Sequence, residues 1–417
     1  MGGSAFTVGD TPLYTPRMPK DIYETVKEQC QRKLQDLYFY VASPIDGPGK
    51  EDFGDVDIVL AFPKTPAASD GEELEIISKA LNAEHVIMTK NNGCAANLAI
   101  AWPSHLGDEN IPQNLNNVDQ GGQKESTKKY IQVDVRVCPA VAQFDWMLFK
   151  HAHGDLWNIV GSMIRHYGLT VDDSALWLRV PEIEDANRKR ARVFLSSEPL
   201  EILHFLGLPI DNYWDRPFDN LQQMFEYAAR CRLMYVSPTE KEPAIKSLKS
   251  NDRRRMSYRP AFKTWVDEFM PQCREQGRFA EKRTTREEVT QEAFARFHVE
   301  REFTIRRDEF LLERQREYIW NQSIKGSIPE PKHPDHSAIL YRSCLVKAMK
   351  RIILEGDKTY GVVPADSLKD AEGNFFMEKV DEFILNNQQE VGEAAIKRHH
   401  SAVTERMRIK QEKSKSG

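Results

Sequence analysis

Residues 43–60 read Ser-Pro-Ile-Asp-Gly-Pro-Gly-Lys-Glu-Asp-Phe-Gly-Asp-Val-Asp-Ile-Val-Leu, and the fold prediction rests on them. A glycine-rich turn leads into an apolar run that is typical of a buried strand. Asp55 and Asp57 open this strand, and side chains alternate with period two, so both carboxylates lie on one face. Two carboxylates held so close repel each other unless a cation lies between them. Because Mg²⁺ prefers hard oxygen ligands, the pair predicts a Mg²⁺-dependent enzyme that handles a nucleotide.

The composition is that of a globular protein with a core. The chain has 417 residues, which predicts two or three domains. Hydrophobic residues make up 40% and charged residues 29% of the chain. The net charge of −5 argues against general attraction to nucleic acid, so any such binding requires local basic patches.

The sequence also indicates a cellular compartment. The cysteines are scattered and form no CxxC pair, which argues against a zinc site or a disulfide framework and predicts reduced thiols. The first ten residues lack the basic and apolar regions of a signal peptide. No apolar run approaches the roughly 18 residues that a membrane span needs. We therefore expect a cytoplasmic or nuclear protein with no membrane partner.

Apolar periodicity predicts an α/β segment followed by a helical one. The α/β segment has helices at 20–37 and 72–82 and strands at 38–42, 55–62, 86–88, 96–102 and 130–138. A turn at 91–93 and a long polar loop at 103–129 separate its last strands. Further helices are expected at 144–167, 197–235, 284–323, 336–354 and 376–410, with a small hairpin formed by 176–180 and 191–195. Thr284 and Glu287 are expected to form a capping box that opens the helix at 284.

A third aspartate, Asp134, lies between valines on the strand at 130–138. Together with Ser43 and the acidic-hydrophobic-acidic triplet at Asp55, it resembles the DNA polymerase β-like nucleotidyltransferase superfamily. More narrowly, GKEDFGDVDIV, QVDVRVC and HGDLWNIVGSMIRHYGL look like a set of uncharacterised fungal nucleotidyltransferase-like proteins. The superfamily resemblance covers residues 20–140, and the helical remainder agrees only in general arrangement.

The resemblance implies an α+β fold with a mixed, largely antiparallel palm sheet and a large C-terminal helical region. It divides the chain into an N-terminal extension (1–19), a nucleotidyltransferase catalytic domain (20–143), a helical domain with a small β-hairpin (144–238) and a charged helical region (239–417). It also implies that Asp55, Asp57 and Asp134 bind Mg²⁺ or Mn²⁺. The implied reaction moves a nucleoside monophosphate from an NTP to a hydroxyl on RNA or a small molecule and releases pyrophosphate.

The same resemblance assigns the triphosphate to the turn before the strand and to a later helix. Ser43, Gly54, Lys50 and Arg165 are the residues it implies for nucleotide binding. Two departures weaken the role of Ser43: Ala42 replaces the usual glycine, and Pro44 lacks a backbone N–H donor.

The basic segment at 253–259 is the strongest candidate for contact with nucleic acid. It combines cations with an aromatic side chain, as single-strand binders do, in Arg253, Arg254, Arg255, Tyr258 and Arg259. The competing interpretation is a solvated helix face, because acidic residues are interspersed through this half of the chain.

Two other functions remain open. One is a catalytically inactive nucleotide- or RNA-binding module in which the helical half carries the function. The other is a glycosyltransferase that binds a nucleotide-sugar through an Asp-x-Asp motif. That motif should follow a longer nucleotide-binding unit than the one that precedes Asp55, and a third strand aspartate also argues against it.

Overall fold

The computed structural model describes residues 3–7, 12–89, 94–103, 128–239, 250–331 and 335–415. The turn predicted at 91–93 and most of the loop predicted at 103–129 lie outside the described residues. The chain forms two compact units, Met1–Arg179 with Arg192–Glu300, and Val180–Ala191 with Arg301–Gly417. The four domain segments expected from the sequence stay a prediction.

The first unit is built on a five-stranded mixed sheet. Two short strands outside this sheet, β1 (Met18–Pro19) and β3 (Asp52–Phe53), pair with each other in antiparallel orientation. The sheet consists of β2 (Tyr38–Ala42), β4 (Asp55–Pro63), β5 (Ala83–Met88), β6 (Ala95–Ala101) and β7 (Tyr130–Cys138), in the spatial order β2-β4-β7-β6-β5. The β4–β7 pair is parallel and the other three pairs are antiparallel, which confirms the expected α+β class and the mixed, largely antiparallel sheet.

Two helices cover one face of this sheet, α1 (Lys20–Gln35) and α2 (Asp70–Leu81). The apolar residues that alternate with the aspartates on β4 point into this layer. They pack with the inward residues of β6, β7 and both helices in one core. Its members include Val56, Ile58 and Leu60 of β4, and Leu98, Val133, Val135, Val26, Leu34 and Ile77 of the other elements. This core explains why apolar periodicity predicted both helices and the strands between them.

The opposite face of the sheet is covered at its two ends. At one end α3 (Val141–His151) packs Phe144 and Met147 on Val59 and Cys138. At the other end Phe6 packs on Ala99 and Tyr130. Along β7 the residues between Tyr130 and Cys138 on this face are polar: Gln132, Asp134 and Arg136.

The predicted helix at 144–167 is wrong as a single element. It consists of α3, then α4 (Leu156–Ile164) and a 3₁₀ turn (Arg165–Tyr167) that ends at Gly168, whose φ of 79° makes it the expected C-cap. The chain breaks between the helices because His153 and Gly154 both have positive φ, 59° and 66°.

A second, three-stranded sheet confirms the predicted hairpin and adds one strand to it. It consists of β8 (Leu169–Val171), β9 (Leu176–Arg179) and β10 (Arg192–Ser196), and the β9–β10 connection carries α5 (Pro181–Glu184). The remaining helices of this unit are α6 (Pro199–Leu206), α7 (Leu221–Ala229), α8 (Ser250–Tyr258), α9 (Pro260–Thr264), α10 (Met270–Glu275) and α11 (Arg286–Phe297), with a π-helical turn at Trp265–Phe269.

The second unit is helical. It contains α5 from the β9–β10 connection, α12 (Glu300–Tyr318), a π-helical turn (Ile319–Ile324), α13 (Lys325–Ser327), α14 (His336–Glu355) and α15 (Met377–Lys415). Its core lies mainly between the last two helices and includes Met349, Ile353, Val380, Ile384 and Val391. Among the described residues, no helix has the length and apolar character needed to cross a membrane.

The predicted capping box is displaced by one residue. Thr285, not Thr284, accepts the backbone N–H of Glu288, and the Glu288 side chain accepts the N–H of Thr285. The helix that was expected to reach residue 323 ends at Phe297, because His298 adopts the left-handed conformation with φ 56°.

Adjacent isoleucines on α2 test the packing of this helix on the sheet. Ile77 is 0% exposed and Ile76 is 39% exposed. We expect Ile77→Ala to lower the free energy of unfolding by about 2–5 kcal/mol because it leaves a cavity in the core. The matched control Ile76→Ala should cost less than about 1 kcal/mol. Urea unfolding followed by circular dichroism measures both, and equal losses would contradict this packing.

Candidate active site

Five polar side chains form a stripe across three neighbouring strands. Asp55 and Asp57 lie two residues apart on β4, so they share a face. In the parallel register Asp55 is opposite Gln132, and Asp57 is opposite Asp134. In the antiparallel register with β6, Asn97 is opposite Asp134. The structure therefore brings the three predicted aspartates together on one face of the sheet.

Neutral donors hold two of these carboxylates. Asp134 Oδ1 accepts hydrogen bonds from Asn97 Nδ2 at 2.5 Å and from Gln132 Nε2 at 2.8 Å. Asp55 Oδ2 accepts a hydrogen bond from the backbone N–H of Gly3 at 2.9 Å. Such bonds favour the charged form of a carboxyl group and fix its orientation.

The pKa values of all three carboxyl groups are raised. Asp57 reaches solvent through a cleft, but protein atoms crowd it and remove much of its hydration. This desolvation, followed by the charges of Asp55 and Asp134, raises the pKa of Asp57 to about 8. Desolvation and then Asp55 raise the pKa of Asp134 to about 6, against the effect of its two donors. Desolvation also raises the pKa of Asp55, opposed by the Gly3 N–H and by Lys50.

This donor set suits a divalent cation, because a cation would favour the charged carboxylates and so oppose the desolvation and repulsion that raise their pKa values. Mg²⁺ is usually held by one or two carboxylates together with waters and substrate phosphates. Asp55 and Asp57, which both line the cleft, meet that requirement. Within the described ranges, no group of three or more His, Cys, Asp or Glu side chains is arranged to hold a metal ion. Asp134 as a third ligand stays a prediction.

The cleft above Asp55 and Asp57 has a volume of about 860 Å³. Its acidic lining residues are Asp46, Glu51, Asp52, Asp55, Asp57 and Asp155, and its cationic ones are Arg17, Lys50 and Arg259. The excess of carboxylates concentrates cations and repels a bare polyphosphate. A polyphosphate bound in this cleft would therefore need a cation beside it.

Arg259 enters the cleft from a distant part of the sequence. It precedes α9, and its Nη1 lies 2.7 Å from Asp155 Oδ1. Asp155 occupies the N-cap position of α4, but its side chain makes no capping hydrogen bond there. Asp155 thus acts as the partner of an arginine rather than as a side-chain cap.

The other residues of the basic segment lie on α8. Arg253, Arg254 and Tyr258 are exposed, and Arg255 is half-buried. Their contact with nucleic acid stays a prediction.

Asp46 anchors the glycine-rich turn. Its carboxylate accepts a hydrogen bond from the hydroxyl of Tyr23 at 3.0 Å and lies 3.4 Å from Lys27 Nζ and 3.9 Å from Lys50 Nζ. The turn also packs closely against the break between α3 and α4, where a Cβ on Gly154 would lie 3.1 Å from Gly47 Cα. The His153 N–H donates to Ile45 O at 2.8 Å. The glycine-rich turn is therefore held by the contacts of Asp46 on one side and by the break between α3 and α4 on the other.

The residues predicted to bind nucleotide occupy different places. Lys50 and Gly54 line the 860 Å³ cleft with the aspartates. Ser43 instead lines a neighbouring cavity of about 650 Å³, and its hydroxyl accepts a hydrogen bond from Gln31 Nε2 at 2.9 Å. Arg165 lies in the 3₁₀ turn after α4 and lines neither cavity. The structure thus groups two of the four residues with the carboxylates.

Sequence reasoning missed several residues of the site. His151 lines the cleft, and desolvation lowers its pKa to about 4, so it is neutral near pH 7. Its signal was the His-x-His-Gly-Asp cluster at 151–155. Gln132 and Asn97 had the signal of a polar residue that interrupts an apolar strand. Gly3 had none, because its contact depends on tertiary structure.

Comparisons with known proteins add only distant similarity. No protein-family model matches the chain, and no curated protein matches it either. Among solved structures it is similar to polymerase β of Leishmania infantum. A ternary gap complex of that protein gives a TM-score of 0.33 at 15% identity over 48% of this chain and 71% of that chain. A ternary P/T complex gives 0.32 at 15% identity over 49% and 77%.

The raised pKa of Asp57 predicts a pH-dependent stability of the metal-free protein. Between its ordinary value of 3.8 and about 8, the folded state holds a proton that the unfolded chain has released. The resulting stabilisation is complete below pH 3.8 and is lost as the pH rises through 8. In EDTA, we expect the thermal midpoint of the wild type to fall between about pH 5 and pH 8 more steeply than that of Asp57→Asn. Parallel curves of thermal midpoint against pH for the two proteins would contradict this prediction.

Proposed function

We propose that this protein is a Mg²⁺- or Mn²⁺-dependent nucleotidyltransferase. It would move a nucleoside monophosphate from an NTP to a hydroxyl acceptor and release pyrophosphate. The observation that carries the proposal is the strand register that groups Asp55, Asp57 and Asp134 on one face beside an acidic cleft. Three desolvated carboxylates on one sheet face are unfavourable in their charged forms without a cation, which supports a cation site here.

Different residues of the chain would bind the cation and the phosphates. Asp55 and Asp57 would hold the cation at the floor of the cleft, and Asp134 would complete the set from the neighbouring strand. When bound, the cation would lower the pKa of the acceptor hydroxyl and offset the charge of the triphosphate. Gly54, beside Asp55, lines the same cleft and belongs to the proposed nucleotide site.

Lys50 and Arg259 are the proposed phosphate contacts inside the cleft. Both are already paired with a carboxylate, Lys50 with Asp46 and Arg259 with Asp155. An arginine fork binds phosphate oxygens in two parallel hydrogen bonds, so a triphosphate would replace Asp155 with a stronger partner. Ser43 accepts a hydrogen bond from Gln31, which leaves its O–H free to donate to a phosphate, but it lines the neighbouring cavity.

RNA is the proposed acceptor class, and a small molecule is the alternative. The exposed side chains Arg253, Arg254 and Tyr258 lie on α8, which ends one residue before Arg259. A strand of RNA along this helix would lead directly to the cleft that Arg259 lines. The finer resemblance to fungal nucleotidyltransferase-like proteins, and roles for Arg165 and Arg255, belong to this proposal as well.

The first test is nucleotide transfer. Purified protein is incubated with each labelled NTP, Mg²⁺ or Mn²⁺, and total RNA, and the products are separated. We expect label transfer that falls at least about 100-fold in Asp57→Asn, because a direct ligand matters more than the outer partners of a metal site. The control is Asp52→Asn, an exposed carboxylate of the same cleft that pairs with Arg17, and it should retain activity within about two-fold.

The outcome also separates the alternatives. Nucleotide binding without transfer by the wild type would favour the inactive nucleotide- or RNA-binding module. Release of sugar from a nucleotide-sugar, lost in Asp57→Asn, would favour the glycosyltransferase. Equal transfer by wild type and Asp57→Asn would overturn the assignment of the carboxylates.

The second test concerns Arg259. We expect Arg259→Ala to raise the KM for NTP about ten-fold, because a charge-assisted hydrogen bond to phosphate is lost. The matched control is Arg216→Ala, an exposed arginine of the neighbouring cavity that pairs with Asp219. Steady-state kinetics over a range of NTP concentrations measure both variants. An unchanged KM for Arg259→Ala would remove it from the phosphate site.

A further inference from the structure

Residues 3–7 form a segment, here called the N-terminal strap, that lies on the same sheet face as the carboxylates. The strap is anchored at Phe6, which is buried against Ala99 and Tyr130. The Leu13 N–H donates to Phe6 O at 2.9 Å, and the Thr15 hydroxyl donates to Gly3 O at 3.4 Å. These contacts hold the strap at one end of the polar stripe.

Gly3 places the strap directly against the strand that carries Asp55. A Cβ at Gly3 would lie 2.2 Å from Gly54 O, so no larger residue fits there without displacement. Its φ of 85° lies in the region that favours glycine. At this position the Gly3 N–H donates to Asp55 Oδ2. The close approach and the hydrogen bond therefore have the same geometric origin.

A second backbone amide of the strap acts on Asp134 through Gln132. The Ala5 N–H donates to Gln132 Oε1 at 3.0 Å. Gln132 Nε2 in turn donates to Asp134 Oδ1 at 2.8 Å. The N–H groups of Gly3 and Ala5, two residues apart, thus reach two of the three carboxylates, one directly and one through a side chain.

The two hydrogen bonds made by the side chain at position 132 require the amide group of a glutamine. Gln132 is only 2% exposed, so each polar atom of its amide needs a partner within the protein. One end must accept from a backbone N–H, and the other must donate to a carboxylate. A glutamate could not donate when ionised, and an apolar side chain could do neither. The position opposite Asp55 on β7 therefore supports the site rather than the core.

We propose that Gly3 and Gln132 are positioning residues that hold Asp55 and Asp134 in the orientation in which they bind a divalent cation. This inference rests on the proposed function, because it assumes that the carboxylates bind metal. Partners that orient metal ligands change metal affinity by about 10–100-fold when they are removed. The strap would then be a structural part of the active site contributed by the start of this sequence.

The test is Mn²⁺ affinity without nucleotide, measured by calorimetry on the full chain. Gly3→Ala displaces the strap. Gln132→Met removes the hydrogen bonds of Gln132 with Ala5 and Asp134 while keeping a side chain of similar volume. We expect each variant to bind Mn²⁺ at least about ten-fold more weakly than the wild type. The control Ser4→Ala changes an exposed side chain of the same strap and should leave the affinity unchanged. Circular dichroism and the metal-free thermal midpoint establish that each variant is folded.

Asp57→Asn separates failure of this inference from failure of the proposed function. If the wild type binds Mn²⁺, Asp57→Asn does not, and both folded positioning variants bind as tightly as the wild type, the positioning role is overturned and the function stands. Tighter binding by Gly3→Ala would also overturn it, since the strap would then obstruct the site. If the wild type and Asp57→Asn bind Mn²⁺ equally, the metal site of the proposed function fails, and this inference fails with it. Should Gln132→Met not fold, Gly3→Ala alone decides the outcome.

Discussion

Electrostatic repulsion among three carboxylates on one sheet face is the constraint on which the rest of this structure depends. The parallel pairing of β4 with β7 places Asp57 opposite Asp134, so the strand register itself keeps these two carboxylates close together. The protein offsets part of it with neutral donors, and desolvation still leaves all three pKa values raised. The strand register thus keeps three carboxylates in an arrangement that disfavours their charged forms.

The surroundings of the carboxylates are built to be rigid. The glycine-rich turn is anchored through Asp46 on one side and packs against Gly154 on the other. The break between α3 and α4 has the left-handed backbone that this close packing requires. These contacts hold the turn in a defined position beside Asp55 and Asp57, which line the same cleft.

Local pattern was sufficient for much of the α/β part. The limits of β2 and β7 agree with the prediction, and α1 and α2 agree to within two residues, because strand alternation and helical periodicity are properties of neighbouring residues. Pattern failed at two places where residues with positive φ end a helix. His298 ends α11 in a left-handed conformation, and the break in the helix predicted at 144–167 depends on a contact with the distant turn.

The sequence by itself determined that Asp55 and Asp57 share a strand face, because that follows from the two-residue period of a strand. Its resemblance to a superfamily added Asp134. Only the tertiary structure decided the strand order that places Gln132 and Asn97 around Asp134, the entry of Arg259 into the cleft, and the separation of Ser43 from it. Each of these depends on contacts between residues far apart in the chain, which local periodicity does not encode.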